Sequence, residues 1–139
     1  MLNAGVLAIV SGLVAQALKV ALELLFRRRW RPRLFFRNGG MPSSHTATVV
    51  TLAALVGHDV GVGDPIFSLV LVFALYVVLE ATGLRQEVGH QARLLNHLVD
   101  ELRRTHHLDA QGLREFVGHT WAEVAGGAAC GLAFAWLVV

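Results

Sequence analysis

Charge is scarce in this sequence. Asp, Glu, Lys and Arg together make up 16% of the 139 residues, against roughly 25% in soluble domains. Hydrophobic residues reach 55% and the mean hydropathy is +0.56, so a water-soluble globule is the wrong class. Cysteine is nearly absent: Cys130 stands alone in an apolar run, which excludes an internal disulfide framework and reads as a small packing residue. There is no internal repeat and no low-complexity segment. No firm zinc or calcium spacing occurs either. His106-His107-x-Asp109 and Gly89-His90-Gln91 come nearest, and neither fits. No metal and no cofactor is therefore expected.

What is present is a set of long apolar runs within one domain, residues 1–139. Leu2–Phe26 is long enough to cross a ~30 Å hydrocarbon core. Its positive charge follows the apolar run instead of preceding it, so it reads as a retained span and not a signal peptide. Ala47–Gly57 is short for a span and becomes long enough only when extended to Ser44–Val62; a re-entrant helix is the alternative. Pro65–Leu84 is the cleanest span, with Glu80 near its end. Phe116–Val139 is the last. Between these two, Val88, Leu94, Leu95, Leu98 and Leu102 recur at roughly helical spacing, which predicts an amphipathic helix on the membrane surface. The expected fold is an all-α integral membrane helical bundle of about four spans plus that interfacial helix. Gly127-x-x-x-Gly131 suits close helix packing, and it offers a face for a homodimer.

Basic residues fall in two blocks. Arg27–Arg37 holds six arginines and Arg85–Arg114 holds five, while His58–Asp64 has none and carries two aspartates. Arginines directly after an apolar segment fit a topology signal better than a nucleic-acid patch, so no nucleic-acid partner is expected. By the positive-inside rule both blocks are cytoplasmic. Lys19, His45, Glu80, Arg85, His119 and Glu123 then come to one membrane face from four segments. Ionisable groups in spans are costly and usually face a polar cavity.

Two stretches carry chemistry. In Gly39-Gly40-Met41-Pro42-Ser43-Ser44-His45, the glycines permit unusual backbone angles. Ser43 or Ser44 caps a helix whose free N–H groups favour an anion. His45 at that helix start is placed to donate a proton; the structural alternative is a capped helix with a polar interfacial histidine. His119 and Glu123 are four apart and share a helix face. A carboxylate on one ring nitrogen frees the other for attack; the alternative is a structural pair satisfying two buried groups. Lys19, Arg33, Arg37, Arg85 and Arg114 are the cationic candidates for phosphate.

Together these motifs resemble the divergent branch of the type-2 phosphatidic acid phosphatase superfamily (acid phosphatase/vanadium-dependent haloperoxidase-related membrane proteins). The resemblance rests on "AQALK" (Ala15–Lys19), "GGMPSSHTAT" (Gly39–Thr48), "EATGLRQEVGHQARLLN" (Glu80–Asn96) and "GHTWAEVAGG" (Gly118–Gly127). It implies a metal-independent hydrolase with His119 as nucleophile, Glu123 orienting it, and His45 as general acid. Lys19 is the best matched phosphate contact, with Arg85, Ser43, Ser44, Arg33 and Arg114 as further substrate contacts. Ser44 stands where the wider pattern has glycine, and Arg114 lies five residues before His119 where the pattern has six. The implied activity is hydrolysis of a lipid phosphate monoester, phosphatidylglycerophosphate- or phosphatidate-like, through a phosphohistidine. The topology read from the arginine blocks, not the resemblance, puts the site at the cytoplasmic face of what is expected to be a bacterial plasma membrane and favours these two lipids, with membrane lipid as surroundings and partner. The alternative is a non-catalytic protein binding phosphate, a lipid headgroup or an ion in the same pocket.

Overall fold

A computed structural model describes residues 3–28, 35, 40–106 and 119–139; the side chains of 27, 84–86, 103, 105 and 106 are outside the description. The described residues form four helices: α1 (Ala4–Arg27), α2 (Ser44–Val60), α3 (Pro65–His106) and α4 (Trp121–Val138). Local chemistry sets their ends. Asn3 accepts from the Gly5 N–H at 2.8 Å and caps α1. Ser43 caps α2, and Gly61, at φ 88°, ends it where a side chain would be strained. Asp64 accepts from the Ile66 N–H at 2.7 Å, and Pro65 opens α3 at the position that needs no N–H donor. Thr120 and Glu123 form a capping box on α4.

The arrangement centres on α2. It packs against the other three helices, and α1 and α3 share no close backbone contact among the described residues. Buried residues therefore appear all round it: Thr46, Ala47, Val49, Thr51, Ala53 and Leu55. The outer helices show a different pattern, small inside and large outside. On α1 the inward stripe is Ala8, Ser11, Gly12, Ala15 and Lys19, while Ile9, Leu13 and Leu25 face out. On α4 it is Val124, Gly127, Gly131 and Ala135, with Leu132, Trp136 and Leu137 outside. That is how a bundle solvated by lipid sorts its side chains, since outward apolar groups cost nothing there. α1, the first part of α3, and α4 are each long and apolar enough to cross a membrane. The protein is an integral membrane helical bundle.

Close approach is built from glycine. A Cβ on Gly131 would lie 2.6 Å from the Ala47 carbonyl oxygen, and one on Gly127 or Gly12 would collide with Ser43 or Thr48. The Gly127/Gly131 face is thus filled by α2 of the same chain, so a second copy would need another surface. The Thr51 hydroxyl lies 2.7 Å from Ser11 Oγ and 3.0 Å from the Gly131 carbonyl oxygen. With one proton, Thr51 donates to the carbonyl and accepts from Ser11, which ties three helices at one point.

These contacts fix direction. Residues rise along α4 as they rise along α2, and fall along α1. A turn of four residues, 61–64, returns the chain into α3, and Phe67 packs on Gly57. α2 therefore lies alongside α1, α3 and α4, and at 17 residues it is shorter than the three helices that are long and apolar enough to cross a membrane. The amphipathic segment is helical as expected but is not a separate helix. Neither Gly83 nor Gly89 breaks α3, whose 42 residues extend about 63 Å.

Two stability outcomes follow. Gly131→Ala should lower stability by about 1–3 kcal/mol, read from the midpoint of unfolding in rising SDS. Gly63→Ala, which meets nothing within 4 Å, should leave the midpoint in place. Thr51→Val should cost about 1 kcal/mol in the same assay; no change would show that the three-helix hydroxyl contact contributes nothing.

Candidate functional site

The site lies where the end of α1, the start of α2, the middle of α3 and the start of α4 meet. Gly40, at φ 95°, lets the turn before α2 sit against the Lys19 stem; a Cβ there would stand 3.3 Å from Lys19 Cδ. The Ser43 N–H then donates to the Glu123 carbonyl oxygen at 3.0 Å. Ser43 itself is fully buried. Its hydroxyl accepts from the Thr46 N–H and the Thr46 hydroxyl at 3.4 and 3.1 Å. It is committed to the cap, which leaves Ser44, half-buried, as the serine facing open space. Two residues after Ser43, His45 projects from the first turn of α2 and is exposed.

His119 is the opposite case. It is 2% exposed, its N–H donates to the Ala81 carbonyl oxygen of α3 at 3.0 Å, and its Nδ1 lies 2.9 Å from Glu123 Oε2. The same carboxylate oxygen accepts from the Thr120 N–H at 3.3 Å. With Nδ1–H held by a carboxylate, the basic lone pair resides on Nε2. The His45 and His119 rings come within 6.0 Å centroid to centroid, tilted by 55°. Residues 74 positions apart in sequence thus share one site through the α2–α4 contact.

Lys19 is also buried, 5% exposed, at the last inward position of α1. Its Nζ donates to Gln16 Oε1 at 2.8 Å. An ammonium, a carboxylate and two imidazoles are therefore gathered at one end of the bundle. A cleft of about 360 Å³ opens beside His45 and Ala81, with Tyr76, Val77 and Glu80 on its wall. Among the described residues no three His, Cys, Asp or Glu side chains are grouped as a metal would require.

Of the residues expected at the site, the structure brings together His45, His119, Glu123, Lys19 and Ser44. Arg33, Arg37 and Arg114 lie outside the described residues, as does the side chain of Arg85. Two participants had no reading from sequence. Gln16 holds the Lys19 ammonium, and its only signal was a polar residue three positions earlier on the same helix face. The Ala81 carbonyl anchors His119, and a backbone group carries no sequence signal at all.

The sequence has a counterpart among known families. The pattern of the Divergent PAP2 family matches residues 3–134, which includes all four helices but the end of α4. The uncharacterized membrane protein YuiD of Bacillus subtilis (strain 168) is 36% identical over 90 residues, covering 65% of this chain and 57% of its own length. The chain thus aligns with little more than half of that relative. No solved structure matches significantly. A match across nearly the whole chain, on the helices that bring His45, His119 and Glu123 together, places this membrane protein in the Divergent PAP2 family.

Proposed function

We propose that the protein hydrolyses a lipid phosphate monoester through a phosphohistidine intermediate. The observation that carries this reading is the approach of a buried and an exposed imidazole, His119 and His45, with ring centroids 6.0 Å apart. His119 is buried and held by Glu123, which suits a nucleophile that must meet phosphorus at a set distance and angle. His45 is exposed, so water reaches it, which suits a group that donates and then accepts a proton.

In the first step His119 Nε2 attacks phosphorus. The N–P bond forms as the ester P–O bond breaks, and His45 in its protonated form gives its proton to the leaving alkoxide. In the second step neutral His45 takes a proton from water, whose oxygen attacks phosphorus; the N–P bond breaks and phosphate leaves. Glu123 stabilises the charge that develops on the His119 ring. The Lys19 ammonium, turned from Gln16 to the phosphoryl oxygens, offsets their negative charge. Arg85, Arg33 and Arg114 are the proposed additional phosphate contacts, and Ser44 with the first N–H groups of α2 is the proposed cradle. The arginine distribution favours a cytoplasmic site in a bacterial plasma membrane, and so a phosphatidylglycerophosphate- or phosphatidate-like substrate.

Purified protein should release phosphate from one of these lipids without added metal. His119→Ala should abolish release, and His45→Ala should reduce it by about 10²–10⁴-fold. Glu123→Gln keeps a capping side chain but loses the carboxylate charge, and should lower kcat by roughly 10²-fold or more. Rapid-quench trapping should find an acid-labile phosphorylated protein that is missing in His119→Ala. Saturable vanadate binding without turnover of any lipid phosphate would instead support the non-catalytic reading.

Topology is tested separately. Arg33→Cys should react with an impermeant maleimide only after cells are opened. Labelling of intact cells would move the site to the other face.

A further inference from the structure

A second cleft, of about 480 Å³, meets the site at His45. It exists because α1 and α3 both pack on α2 without closing on each other. Thr48 and Val49 of α2 form its floor. Ile9 and Leu13 of α1 make one wall, and Phe73 and Val77 of α3 the other. Gln16, Ser44 and His45 stand at one end, and the hydroxyl of Thr48 on the floor donates to the Ser44 carbonyl oxygen at 3.0 Å. From Gln16 to Ile9 the cleft descends about 10 Å along α1. Both walls belong to the membrane-crossing parts of their helices, so the cleft opens to hydrocarbon, and an occupant along its length must be apolar.

We propose that this cleft seats the hydrocarbon chain of the leaving alcohol, so that the substrate is a long-chain phosphate monoester held with its chain between α1 and α3. The inference rests on the hydrolase reading and adds a direction to it. A general acid must stand next to the leaving oxygen. His45 lines this cleft and His119 does not. The phosphoryl group therefore lies on the His119 side and the alcohol on the cleft side, with its chain running inward from His45 past Leu13 toward Ile9. Product alcohol returns to the bilayer through the same opening, while phosphate leaves at the polar end. Short phosphate esters reach His45 but leave the apolar walls unfilled.

The test uses the full chain in nanodiscs with two probes, hexadecyl phosphate and butyl phosphate. Leu13→Trp and Ile9→Trp narrow the cleft, whereas Leu132→Trp enlarges a lipid-facing residue on α4. The ratio of kcat/KM for hexadecyl over butyl phosphate should fall about tenfold in the two cleft variants, chiefly through KM, and stay unchanged in Leu132→Trp. A ratio unchanged in all three overturns the proposal. A second measurement is independent of turnover. Hexadecyl phosphate carrying a diazirine midway along its chain should label Leu13 and Val77 saturably, also in the inactive His119→Ala variant. Unlabelled hexadecyl phosphate should compete, while labelling of Trp136 should remain unsaturable. Unsaturable labelling at Leu13 overturns the cleft assignment even if phosphate is released. Saturable labelling without phosphate release from any ester sustains the cleft assignment and overturns hydrolysis.

Discussion

The backbone contact between α2 and α4 is what the rest of the molecule depends on. Gly127 and Gly131 let α4 lie directly on Ser43, Thr46 and Ala47, and no residue with a side chain would leave that distance intact. Once the two helices touch, the Ser43 N–H reaches the Glu123 carbonyl and the two histidine-bearing helix starts are level with each other. The contact also explains the composition of α2. Its threonines would be poor lipid-facing residues, but enclosed by protein they find partners, as Thr51 does in Ser11 and Gly131. A helix surrounded by three others need not be as apolar as those that surround it.

The family match and the geometry support different parts of the functional reading. Membership fixes the protein as a phosphatase-related membrane protein. The physical argument for chemistry comes from asymmetry within the site: one imidazole is buried and held by backbone and carboxylate, and the other is exposed.

Much of this was legible in the sequence, for identifiable reasons. His45 follows a turn-and-cap pattern and does open α2. His119 and Glu123 do meet, but not on a shared helix face: α4 begins at Trp121, and His119 precedes its N-cap, Thr120. The small-residue stripe at Gly127 and Gly131 was equally readable as a packing face. Its partner was not, because spacing says that a helix will be approached closely and never by what. Spacing also failed to show that α3 continues through the amphipathic segment, since periodicity changes there without a proline or capping residue to stop the helix. The roles of Gln16 and the Ala81 carbonyl arise only from packing. The two clefts at His45 were illegible for the same reason: each is a space left by helices that do not meet.

Glu123 does two jobs with one carboxylate: it closes the first turn of α4 and holds the imidazole of His119. The first turn of α4 in turn receives the Ser43 N–H. A chain in which α4 has not wound, or has not docked, consequently carries a histidine of undefined tautomer and aim. The winding and docking of α4 and the aiming of His119 are therefore one event, and the imidazole has no set direction before the bundle closes.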